Sequence, residues 1–90
     1  LHDADMRGAN MHKADLPTAD MTGANLRGAS FEDANLTWST MVNADLRGVN
    51  FSKANLGSAD LSGADLSGAN LTGARFCKTK MPTGMDNSDC

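Results

Sequence analysis

A large apolar residue, always Leu, Met or Phe, occupies every fifth position from Leu1 to Met81. Two residues before each stands a small one, Ala in 13 of 16 slots, with Ser39, Val49 and Thr79 filling the others. One before each is usually Asp or Asn. Apolar spacings of two and three residues average 144° per residue, whereas an α-helix needs about 100° and a flat strand about 180°. On a helix the large residues would smear around the cylinder; on a straight strand successive ones would fall on opposite faces. A chain that takes an extended step and then turns a corner every five residues buries both apolar slots on one side. The expectation is an all-β solenoid with a narrow interior, filled by Leu, Met and Phe, where only a small second residue fits without overpacking.

The repeat unit is undisguised in ANLRG at 24–28, ADLRG at 44–48, ADLSG at 59–63 and again at 64–68, and ANLTG at 69–73. In these motifs the chain resembles the pentapeptide repeat family, over residues 1–81. The resemblance implies a right-handed quadrilateral parallel β-helix. Four corners then close a coil of twenty residues, and coils stack at about 4.8 Å. The register corresponds to a little over four coils. The expected organisation is a repeat body over residues 1–76 and a C-terminal capping tail over 77–90. Leu1 enters in mid-register with neither an initiator Met nor a signal peptide before it, so a fragment or a processed chain is expected.

Both cysteines, Cys77 and Cys90, flank a segment that abandons the repeat and carries a Pro-Thr-Gly turn signal. One reading is a cap folded over the open end and pinned by a Cys77–Cys90 disulfide, worth about 3 kcal/mol on the chain-entropy model. The other is two thiols in a reducing cytosol. Similar cysteine-bracketed tails occur in pentapeptide repeat proteins of cyanobacteria and of the plant thylakoid lumen. That resemblance implies an oxidising compartment, thylakoid lumen or periplasm, with the cytoplasm as the alternative.

Twenty-residue coils place residues twenty apart in columns. Inside, Phe31 and Phe51 share a column and can stack. Outside, Arg7, Arg27 and Arg47 form one column, beside Asp5, Asn25, Asp45 and Asp65 and beside Gly8, Gly28, Gly48 and Gly68. This wall reads either as a solvated ladder of ion pairs or as a strip recognising carboxylates or other anions on a partner. Lys13, Asp33 and Lys53 alternate in sign and read as ladder compensation. Trp38 breaks the pattern as an outward aromatic among Thr18, Ser58 and Lys78, which makes it a candidate hot spot or a lone surface aromatic.

Catalytic chemistry is not expected. His2 and His12 are half a coil apart, on opposite faces, and no cysteine is near either, so no metal site is expected from them. The Asp residues spread over convex walls, with no pocket to shift their pKa values. No nucleophile elbow or phosphate loop is present, and no cofactor is expected. No apolar run approaches the length of a membrane span. The reading is a non-catalytic scaffold that binds a protein partner or stabilises an assembly, as a monomer or with weak end-to-end or side-by-side association. The alternative comes from the resemblance: some family members mimic duplex DNA and inhibit topoisomerases such as gyrase. A mimic about 20 Å long needs roughly a dozen net negative charges. This chain carries −3 and an arginine column, and direct nucleic-acid binding is not expected either.

Overall fold

The computed structural model describes residues 2–90. Leu1, the first register position, lies outside the described residues. There is no helix among them, and hence none long and apolar enough to cross a membrane. The body is a stack of short extended steps, each pairing in parallel with the step twenty residues on. Asp5 pairs with Asn25, Asn10 with Ser30, Asp15 with Asn35 and Asp20 with Thr40, and each ladder continues up the rod. The ladders reach Asn55↔Arg75 and Asp60↔Lys80, and the whole measures 31 × 24 × 23 Å.

One repeat shows why five residues suffice. Leu46 N–H donates to Asp65 O at 2.9 Å and Gly48 N–H to Ser67 O at 3.0 Å, both in the coil above. Asn50 N–H donates to Ala29 O at 3.0 Å in the coil below. Val49 N–H closes a turn onto Leu46 O at 3.2 Å. The remaining donor, Arg47 N–H, goes to Asp45 Oδ1 at 3.3 Å. Every main-chain donor of the repeat therefore has an acceptor. The same side-chain turn recurs from Asn10 to His12, Asp20 to Thr22, Asn50 to Ser52 and Asn70 to Thr72. This explains the Asp or Asn before each large residue: its oxygen reaches the one amide that neither coil nor turn satisfies. Asp15 is the instructive exception. Pro17 has no N–H to offer, and Asp15 instead accepts from Asn35 Nδ2 at 3.1 Å.

The third residue of each turn takes positive φ, as a type II turn requires. Gly28 and Gly48 hold this position at 69°, but Lys13, Thr18 and Trp38 hold it too, at 61–62°. Inside, the register residues from Met21 to Leu61 are fully buried, together with the alanines from Ala24 to Ala59. Val49 is accommodated in an Ala slot at 0% exposure. Phe31 and Phe51 stack with centroids 5.6 Å apart and planes 18° apart, as the column rule predicts.

At the C-terminal end the chain reverses. Strand β1 (Thr79–Met81) pairs antiparallel with β2 (Gly84–Asp86). Asp89 then brackets Phe76, its carboxylate accepting the Phe76 N–H and its own N–H donating to Phe76 O, each at 2.8 Å. Asn87 Oδ1 accepts from Lys78 N–H at 2.8 Å. The Cys77–Cys90 disulfide is formed, with Cα atoms 4.7 Å apart. The returning strand thus covers an edge that would otherwise present unpaired backbone. Near this end the register residues Leu66 and Leu71 are only partly buried.

Candidate functional site

The arginine column forms as expected, but its three members differ. Arg7 makes a bidentate pair with Asp5, with Nε and Nη2 each 2.9 Å from a carboxylate oxygen. Arg47 does the same with Asp45, at 2.8 and 2.6 Å. Its Nε also lies 3.9 Å from Asp65. Arg27 stands between them with Asn25 in the carboxylate slot, and among the described residues it forms no ion pair within 4.0 Å. The bidentate hydrogen bonds set the local electrostatics. The Arg47 side chain holds the Asp45 carboxyl down to about 2, with Arg27 adding to the effect at longer range. The Arg7 side chain likewise lowers Asp5, and both paired guanidinium groups are raised in turn. Asp65 is lowered chiefly by its hydrogen bond from the Ser67 hydroxyl, at 2.6 Å.

The glycine column beside the arginines leaves a trough. A Cβ at Gly28 would meet nothing within 4 Å, and one at Gly48 only the Gly28 nitrogen. Arg7, Arg27, Arg47, Gly28 and Gly48 together line a shallow groove of about 550 Å³. Its chemistry is that of planar cationic donors beside bare backbone, suited to carboxylate or phosphate oxygens.

Trp38 is 68% exposed. Its positive φ, 62°, is a conformation that bulky residues rarely adopt. Half a coil separates its column from the glycine column, so Trp38 and the arginines sit on opposite walls and form no common site. Trp38 instead borders a second groove, about 260 Å³, floored by Gly57 and closed by Arg75, Cys77 and Asp89 near the disulfide. The column Thr37, Gly57, Cys77 is the sequence signal for this groove, since glycine there removes a side chain between two larger ones.

The alternating Lys13–Asp33–Lys53 column does not pair as expected. Asp33 Oδ2 lies 3.6 Å from His12 Nε2, and Glu32 Oε1 lies 3.4 Å from the same nitrogen. His12 and Glu32 share a column, a neighbour that comparing His12 with His2 alone does not reveal.

The profile of pentapeptide repeats matches residues 1–23, 29–68 and 44–81, in 8 copies. The chain belongs to the pentapeptide repeat family. A search of curated protein sequences finds no match. Among solved structures, the chain is similar to HetL, described as a pentapeptide repeat protein involved in heterocyst differentiation regulation, from the cyanobacterium Nostoc sp. strain PCC 7120. The TM-score is 0.91 at 36% identity, over 93% of this chain and 39% of HetL. It is also similar to Rfr23 from the cyanobacterium Cyanothece 51142, with TM-score 0.83 at 30% identity, over 96% of this chain and 56% of Rfr23. The chain therefore spans about two fifths of HetL and just over half of Rfr23. Pentapeptide repeat proteins form right-handed β-helices and serve generally as structural or interaction modules, which supports a repeat scaffold role.

Proposed function

We propose that this pentapeptide repeat chain, a rod of a little over four coils, is a non-catalytic scaffold that binds an acidic segment of a protein partner along its arginine and glycine wall. One observation carries the reading. Arg27 is a guanidinium with Asn25 in place of a carboxylate in its own repeat, set between two arginines already neutralised by Asp5 and Asp45. A partner carboxylate at Arg27 completes the ladder and needs no rearrangement of a rigid wall, so little ordering entropy opposes binding. Trp38, beside the groove at the disulfide, is a second and separate contact surface on the opposite wall. The disulfide supports residence in an oxidising compartment. The net charge of only −3 and the arginine column weigh against mimicry of duplex DNA.

The test uses a fluorescent oligoglutamate peptide as the probe, by anisotropy at low ionic strength. Saturable binding that weakens with salt and is lost in Arg27→Glu, while Trp38→Ala leaves it intact, supports the reading. Equal binding by wild type and Arg27→Glu, or no binding by either, overturns it. Inhibition of gyrase supercoiling by the wild-type chain would favour the DNA-mimic alternative.

A further inference from the structure

A different wall carries a grouping that the scaffold reading does not use. His12 Nε2, Glu32 Oε1 and Asp33 Oδ2 converge, with the imidazole nitrogen 3.4 Å from the first oxygen and 3.6 Å from the second. The three side chains offer ligand atoms that all lie within 4.8 Å of one another. A tetrahedral ion bound at about 2.0–2.1 Å holds its ligands about 3.3 Å apart. The two nitrogen–oxygen separations are within a few tenths of an ångström of that edge. We propose that His12, Glu32 and Asp33 form a three-ligand site for a borderline divalent transition ion, Zn²⁺ in the first instance, that clips one coil to the next.

Three further features fit. The donor set is one imidazole and two carboxylates, which suits Zn²⁺ and its neighbours, whereas Mg²⁺ and Ca²⁺ take oxygen ligands. Ser52 Oγ, one coil on, donates to Glu32 Oε2 at 3.3 Å, which orients the carboxylate with Oε1 toward His12. The ligands also rise from fixed backbone. His12 N–H is held by Asn10 Oδ1 at 3.1 Å, Lys13 N–H by Glu32 O at 2.8 Å and Asp33 N–H by Ser52 O at 3.0 Å. The side chains are 43%, 42% and 38% exposed, so the remaining coordination positions face solvent and accept water or a ligand from a partner. Lys13 and Lys53, in the Asp33 column, oppose a cation and keep the affinity moderate.

The competing arrangement is a protonated His12 paired with two carboxylates and indifferent to metal. Titration of the tag-free oxidised chain at neutral pH separates the two, using Zn²⁺ by calorimetry and Co²⁺ by visible absorption. The expected result is one saturable site, a cobalt spectrum of low coordination number and a higher unfolding temperature with Zn²⁺ but not Mg²⁺. His12→Ala and Asp33→Asn should each abolish all three signals, and Ser52→Ala should weaken binding about tenfold. His2→Ala should leave binding unchanged. Circular dichroism without metal checks that each variant keeps the fold. Absence of saturable binding in the wild type, or binding that survives in folded His12→Ala, overturns the proposal.

Discussion

Ser39 and Thr79 occupy the same inward column, two coils apart, and each replaces the usual alanine. Both are buried. Thr79, at the end of the rod, donates its hydroxyl to Leu56 O at 2.7 Å. Ser39, in the middle, has a buried Oγ without a protein partner. The contrast extends to the regions around them. The middle is held by a repeating ladder and a packed apolar column. The end is held by individual bonds: Asp89 to Phe76, Asn87 to Lys78 and Cys77 to Cys90. A regular body tolerates an ill-fitting rung because its neighbours carry the structure, whereas the end depends on each fitted contact.

The sharpest way to break this contrast is Phe51→Ala, which removes one half of the stacked pair and leaves a cavity in the packed column. It should cost about 4 kcal/mol, read as a lower denaturant midpoint at unchanged slope. Cys90→Ser should cost up to about 3 kcal/mol, but only in the tail. Hydrogen exchange should quicken at the Phe76 and Lys78 amides and stay slow at Leu46 and Phe51; a uniform acceleration would show that end and body unfold as one unit. The serine and threonine should move in opposite directions. Ser39→Ala should gain about 1 kcal/mol by removing an unpaired buried hydroxyl, and Thr79→Ala should lose about as much.

The smallest effect is electrostatic. Arg47 depresses the folded-state pKa of Asp45 from the usual 3.8 to about 2. Its contribution is therefore fully present above about pH 4 and is lost as pH falls through the folded value near 2. Unfolding temperature measured across that window should fall less steeply in Arg47→Ala than in wild type. The pair is exposed, so the difference is modest.

Much of the body is legible in the sequence because five-residue spacing and twenty-residue columns convert directly into contacts. The phenylalanine stack, the arginine column and the outward Trp38 all follow from that arithmetic. Other features lie beyond it. Asp33 turns toward His12 and away from the lysines of its own column, which depends on side-chain rotamers and not on register. The reverse strand at Gly84–Asp86 replaces a missing coil with a hairpin. Its attachment to the last repeat depends on contacts made by Asn87 and Asp89 that no periodicity encodes. Arg27 is visible as a column member, but its lack of a carboxylate matters only once Arg7 and Arg47 are seen to be engaged.

The five-residue corner has a consequence for how such a rod can change. Inserting one whole repeat ahead of Arg27 would carry it a quarter turn around the shaft, off the line of Arg7, while each buried side chain still met a hydrocarbon neighbour. Inserting a single residue would instead swing an aspartate or a turn residue inward. Surface patterns on this architecture can therefore be re-indexed in steps of ninety degrees, and only in such steps, without remaking the interior.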